Sequence, residues 1–340
     1  MMRHRSARRP SGSSRAVRIA VAGLGTTLAI AAGACASGRS SNDAASSTHS
    51  EASGHASHGA VGATGAPGGP LMLPAVAERH TGPQGRVGQF VVKCTYSHSA
   101  PDDPIVHPGA PGRSHRHDFY GATSAAADST AASLLDSDTT CDKSPDTAAY
   151  WQPTLFNHGE PVTPRHINAY YRAAPGIDPT TVQPYPLGIE LLAGDPLAAE
   201  PRPGEVAGWV CGAQTALKAE PPVCSDRAPL HMVLTFPDCW DGEHLRSADH
   251  RSHAAYSSDG RCPDSHPVIL PQLTVAVAYP IGFGDHDLSL ASGNTYSAHG
   301  DFLNAWEPDG LAREVTACIV RQVVCDLASN REEDGPFLTE

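Results

Sequence analysis

The chain has 340 residues, with 36 acidic against 24 basic side chains and a net charge of −12. That balance lacks the basic footprint which phosphate backbones demand, and it sets nucleic acid aside as a partner. The length allows one sizeable core, while 32 glycines and 30 prolines favour short elements joined by loops over long helices.

In chain order, residues 1–18 carry Arg3, Arg5, Arg8, Arg9, Arg15 and Arg18 and no acid, and the apolar run VRIAVAGLGTTLAIAAGA ends at Cys35. A basic start, an apolar middle and small residues at the exit predict a secretory signal over 1–35. Gly and Thr interrupt the run, which argues against a permanent span. Ala32-Gly33-Ala34 before Cys35 resembles a bacterial lipobox, with Ala where Leu is usual, so Cys35 is the candidate lipidation site. The protein is expected outside the cytoplasm, either on the outer face of the cell membrane through a lipid anchor alone or secreted. Cleavage removes six arginines and no acid, leaving 18 basic against 36 acidic residues, net −18.

Residues 36–84 are rich in Ala, Gly, Ser and His and lack apolar periodicity, so they read as a disordered tether whose His49, His55 and His58 are solvated. A single domain is expected over 85–326, followed by a flexible acidic tail, 327–340. Within it QFVVKCTY (89–96), GIELLAG (188–194), HMVLTF (231–236) and LTVAVAY (273–279) read as strands. Helices are expected over AAADSTAASLLD (125–136) and DGLAREVTACIVRQ (309–322), the latter with Leu311, Val315, Cys318 and Ile319 on one face. The class is mostly β with long loops and a few short helices, α+β being the variant. The domain reads as sandwich-like or jelly-roll-like and stabilised by disulfides.

Without Cys35 the cysteines number eight, an even set that suits an exported domain. There is no C-x-x-C pair. Local pairing joins Cys211 to Cys224, Cys239 to Cys262 and Cys318 to Cys325, and leaves Cys94 for Cys141. Each bridge is worth about 2–4 kcal/mol.

Four stretches concentrate His and Asp: SHRHDFYG (114–121), CWDGEHLRSADHRSHAAY (239–256), CPDSHPV (262–268) and SAHGDFLNAW (297–306). In an extended segment His115 and His117 share one face, and Arg116 and Asp118 the other. Two imidazoles on one face can chelate a divalent ion, and Asp118 can orient a ring or move a proton. His299 and Asp301 repeat that spacing, and His250 and His253 come with Asp249. The candidate ligands are therefore His115, His117, His250, His253, His299 and Asp301, around a single Zn, Cu or Fe ion. Asp118, Asp241 and Asp249 are the candidate catalytic acids, and Asp241, Glu243 and Asp249 offer a carboxylate pair for glycoside hydrolysis. Tyr120, Trp240 and Trp306 are candidate sugar platforms, with His266 beside them. The competing reading makes these polar residues hydrogen-bond clamps of loops, and the aromatics core. No G-x-S-x-G elbow, P-loop, H-E-x-x-H or dinucleotide fingerprint occurs.

DPIVHPG, SHRHDFYG, AAYWQPTLF, YPLGIELLAGD, FPDCWDGEHLRSADHRSHAAY, CPDSHPV and AHGDFLNAW follow one another in this order. Together they resemble the domain of unknown function number nineteen ninety-six, found in exported actinobacterial proteins and in fungal surface proteins, some with WSC sugar-binding modules. The resemblance covers roughly residues 90–318, departs at Arg246, where the family often carries an acid, and leaves His107 outside the candidate site. It implies one extracellular domain associated with cell walls or polysaccharides, and it supplies no catalytic residues. The expected function is a monomeric surface protein that acts on or binds a cell-wall or extracellular polysaccharide through a His/Asp-lined cleft, with a metal. The alternative is a non-catalytic carbohydrate-binding or structural surface protein.

Overall fold

The computed structural model describes residues 79–82, 86–201 and 206–325, all within the compact unit Gly62–Glu340. The leader, Cys35, most of the stretch read as a tether and the tail lie outside the described residues. Arg79, inside that stretch, lies on the domain: its Nη1 donates to the Ala173 carbonyl at 2.6 Å and its Nη2 to Gln272 Oε1 at 3.1 Å. No described helix is long and apolar enough to cross a membrane.

The described residues form sixteen strands. They are β1 (Gln89–Ala100), β2 (His117–Gly121), β3 (Ala149–Pro153), β4 (Leu155–Asn157), β5 (Glu160–Pro161), β6 (His166–Arg172), β7 (Glu190–Gly194) and β8 (Ala207–Cys211), then β9 (Leu230–Thr235), β10 (Cys239–Trp240), β11 (Ala254–Ala255), β12 (Val268–Ile269), β13 (Gln272–Ala278), β14 (Leu288–Leu290), β15 (His299–Leu303) and β16 (Val324–Cys325). The main sheet runs β7-β15-β3-β2-β1-β6-β13-β9-β8, with β16 parallel to β1. Two small sheets, β11-β10-β12 and β14-β4-β5, complete the set.

β1 joins two halves. Gln89–Thr95 pair with β6, Tyr96–Ala100 pair with β2, and the register shifts between Tyr96 and His98. Such an irregularity bends and twists a strand, and the sheet folds back until β7 meets β9. It is nearly closed. The space between the halves is filled by alternate residues of facing strands: Phe90 and Val92, Ile167 and Tyr171, Val275 and Val277, Met232 and Leu234, Leu191 and Phe302. Gly300 marks a close approach of the halves, since a Cβ there would stand 2.4 Å from Leu234 Cδ1. The mostly-β, sandwich-like expectation therefore takes the form of one sheet folded on itself.

The half β7-β15-β3-β2 is covered on its other side too. Ile105, Phe119, Trp151, Leu303 and Leu134 form a second cluster there, beneath the segment between β1 and β3. This is why β2, β3 and β15 are buried at every position. Helix α1 is shorter than the sequence suggests, Ala131–Leu135, because Leu134 is its one buried residue and a Thr130–Ser133 capping box starts it. Helix α2 (Pro308–Glu314) continues as a π-helical turn, Val315–Val320, and buries Leu311, Val315, Cys318 and Ile319. Disulfides join Cys94 to Cys141, Cys211 to Cys224, Cys239 to Cys262 and Cys318 to Cys325.

Candidate metal centre

The second covered face carries the polar group of interest. β3 separates β2 from β15: Phe119 and Asp301 both pair with Trp151, and His117 pairs with Pro153. Period-two alternation then turns His117 of β2 and both His299 and Asp301 of β15 to the same side. His115 joins from the loop entering β2. Ring centroids are 4.3 Å apart for His115 and His117, 5.0 Å for His115 and His299, and 6.0 Å for His117 and His299.

Potential ligand atoms of His115, His117 and His299 lie within 4.8 Å of one another, and so do those of Asp103, His117 and Asp301. His117 belongs to both sets. Its Nδ1 donates to the Asp102 carbonyl at 2.9 Å, so its Nε2 alone is free, and the two sets share that one atom. Two further groupings, Cys94–Cys141–Asp146 and Glu314–Cys318–Cys325, contain only disulfide-bonded cysteines and offer no thiolate.

The local chain holds these rings in place. Asp102 Oδ1 accepts from Gly112 N–H and its Oδ2 from Ala127 N–H, which pins the loop and aims the Asp102 carbonyl at His117. Asn294 caps a 3₁₀ turn by accepting from Tyr296 and Ser297 N–H, and the Ser297 carbonyl then accepts from His299 Nδ1 at 2.8 Å. A ring whose Nδ1–H is tied to a carbonyl presents the Nε2 lone pair, the arrangement of metal-bound histidines. Nε2 of His115 and of His117 and Oδ2 of Asp301 are buried and make no hydrogen bond.

Electrostatics match that geometry. Burial, then the His115 and His299 charges, holds His117 well below the ordinary imidazole range, burial takes His299 down to about 3, and burial followed by His107 lowers His115. Burial raises Asp301 far above the usual carboxylate range, with Asp103 adding to it. Burial also raises Asp103, against hydrogen bonds from Val106 and Ile105 N–H. Burial is the first cause in all five groups: it disfavours charge on the three rings and on the two carboxyls alike. A cavity of about 210 Å³ opens beside it, bounded by His107, Ser114, Leu192 and Arg251. Arg251 Nη2 donates to the Gly194 carbonyl at 2.9 Å.

The other candidates stand elsewhere. Both ring nitrogens of His253 have neighbours within the fold, the Glu190 carbonyl 2.6 Å from Nε2 and Ser247 Oγ 3.0 Å from Nδ1, and the ring stands apart from the three that converge. His250, with φ 58°, is near enough for its charge to act on Asp103, and its Nδ1 is buried without a partner. Asp118 occupies the opposite face of β2, where its Oδ1 accepts from Ser99 at 2.6 Å and Thr154 at 2.8 Å. Asp241 accepts from Glu243 N–H, His244 N–H and His244 Nδ1, and Asp249 from Ser247 Oγ and the N–H groups of Arg251 and Ser252. These two aspartates hold their own loop. His266 likewise spans Ser265 and Ser252.

Tyr120 and Trp306 are corrected as sugar platforms. They are 0% and 1% exposed, inside the main core, with their polar tips bonded to Gln152 and Tyr171. Trp240 is half-buried, with its Nε1 donating to the His244 carbonyl. Asp103 and Arg251 are the residues the sequence reading missed, and His107, which it left outside the candidate site, lines the cavity. DPIVHPG held the signal for Asp103 and His107, an acid and a histidine in one short segment ahead of SHRHDFYG.

No curated protein and no solved structure matches this chain. The family described as Domain of unknown function (DUF1996) matches over residues 103–306, a span that begins at Asp103 and holds the whole His/Asp group, and the chain belongs to that family.

Proposed function

We propose that this domain binds one divalent transition-metal ion, Zn, Cu or Fe, through His115, His117 and His299, with Asp301 or Asp103 as the carboxylate. The observation that carries this reading is the convergence of the three rings, two of which, His115 and His117, have a buried Nε2 that bonds to nothing else. Buried polar atoms normally find partners, and a carboxylate and neutral imidazoles make a donor set for these metals. A bound ion supplies Lewis acidity. The protein's own part is to fix the rings, exclude bulk water and leave one open side at the cavity, where Arg251 offers a positive charge to a substrate oxygen.

The cavity is smaller than the roughly 300–1,000 Å³ of drug-sized pockets, so it suits one polar group of a larger molecule. We take that molecule to be an extracellular or cell-wall polysaccharide, and the chain to be exported and held at the outer face through Cys35. The eight paired cysteines support an oxidising compartment. For Asp241, Asp249, His253 and His266 the clamp reading is favoured instead: Asp241, Asp249 and His266 bond groups within 239–266 and His253 ties that segment to the Glu190 carbonyl of β7.

Elemental mass spectrometry on the disulfide-bonded chain, made without a His tag, tests the metal. Near-stoichiometric ion in the wild type, absent from His115→Ala/His117→Ala, is the expected result. A wild type that stays empty after incubation with Zn, Cu and Fe overturns it. Polysaccharide binding with and without chelator then separates a metal-dependent glycan site from a metal site of another purpose.

A further inference from the structure

A second cleft, of about 460 Å³, lies on the outer face of the other half-sheet. Strand alternation makes its floor. Tyr171 of β6, Leu273 of β13 and Leu234 of β9 point into the core, so Tyr170, Arg172, Thr274 and Thr235 point out into the cleft. Residues of the 212–217 loop, Gln214 among them, wall one side, and Arg79 closes another.

The charge here is unusual. Arg172 is the register partner of Gln272 across the β6-β13 pairing, and Arg79 bonds that same Gln272, so two guanidinium groups share one neighbourhood. Among the described residues no acidic side chain lines the cleft, and the carboxylate whose charge reaches Arg79 is the fully buried Asp238. Among the described residues Arg172 has no ion pair, its Nε is buried without a hydrogen bond, and its guanidinium lies over the face of Tyr170, with Cζ 5.9 Å from the ring centroid. Burial lowers both arginines, Arg79 to about 9, with Arg172 as the second cause. Arginines at such sites normally meet a planar or tetrahedral oxyanion, which their fork of donors fits in bidentate fashion. The Thr235 and Thr274 hydroxyls, 3.4 Å apart, add donors that adjust to either shape.

We propose that this cleft binds the oxyanion of a small ligand, a carboxylate or a phosphate or sulfate group, clamped by Arg172 and Arg79 over the Thr235 and Thr274 hydroxyls. The site is independent of the His/Asp group, which sits on β2 and β15.

Calorimetric titration of the intact chain tests this, in chelator and at constant ionic strength set with chloride, using phosphate, sulfate, acetate and glucuronate. At least one of the four should bind and raise the melting temperature above the chloride control. Tighter glucuronate or acetate assigns a carboxylate ligand, and tighter phosphate or sulfate a tetrahedral one. Arg172→Gln should weaken binding by about tenfold or more while melting no lower than wild type in chloride, because it removes a half-buried charge that has no ion pair among the described residues. If that variant does not fold, Thr274→Val should weaken binding about threefold. His115→Ala/His117→Ala should bind the anion as wild type does. The proposal is overturned if none of the four anions exceeds chloride, if the folded cleft variants bind like wild type, or if anion binding is lost with the histidines.

Discussion

The His/Asp group between β2 and β15 and the His/Asp-rich segment 239–256 use the same residue types for different ends. In the first, the chain spends backbone carbonyls on Nδ1 of His117 and His299 and leaves buried nitrogens unsatisfied. In the second, Asp241, Asp249 and His253 are consumed by the N–H, hydroxyl and carbonyl groups around them. His250 in the second region also keeps a buried Nδ1 without a partner, so what sets the first region apart is convergence: its rings and carboxyls bring potential ligand atoms within 4.8 Å of one another, and those of 239–256 join no such group among the described residues.

The sharpest way to break this comparison is to swap the regions' expected phenotypes. His117→Ala should weaken metal binding by about 100-fold or more, since changes one shell further out already cost about 10–100-fold. Asp249→Ala should leave metal content unchanged. An ion shed by Asp249→Ala and kept by His117→Ala reverses the assignment. Next in size is His253→Ala, which opens space at a fully buried ring and strips the Glu190 carbonyl of its donor. It should cost about 2–4 kcal/mol in denaturant unfolding with metal stoichiometry retained.

Much of this was legible in the chain. The i, i+2 spacing of His115 with His117 and of His299 with Asp301 put each pair on one face, and both pairs do face one site. The strand reading of 89–96 and 273–279 followed from alternation that the core uses. Which stretches would meet was not legible, because it depends on β3 lying between β2 and β15, a pairing set by chain topology. Asp103 was hidden for the same reason: its carboxyl reads as a turn former, with Oδ1 accepting from Ile105 and Val106 N–H at 2.9 Å, and only the folded loop brings it beside Asp301. Tyr120 and Trp306 misled because an aromatic next to polar residues in sequence is on the opposite face of a strand or beyond its end, where the core lies.

Smaller effects separate the clamps from one another. Asp241→Ala and Asp249→Ala should each cost about 1 kcal/mol, the net worth of a few side-chain to backbone hydrogen bonds at a solvated loop, measured as a shift in urea midpoint with an unchanged slope. A cost near zero makes the segment's order independent of these aspartates.

The smallest effect is the order in which acid releases the segment. Burial holds His253 below the ordinary imidazole value, so the unfolded chain takes up a proton before the folded one as pH falls. Stability from this residue is complete above about pH 6.5 and is lost as pH drops below it. Asp249 is lowered instead, because hydrogen bonds from Ser247, Ser252 and Arg251 outweigh its desolvation. Its contribution is complete above about pH 4 and is lost only below that. Amide exchange over 239–256 should therefore loosen in two steps on acidification, the first missing in His253→Gln and the second in Asp249→Asn. A single step below pH 4 in the wild type means that His253 does not resist its proton, and the clamp role then rests on the aspartates alone.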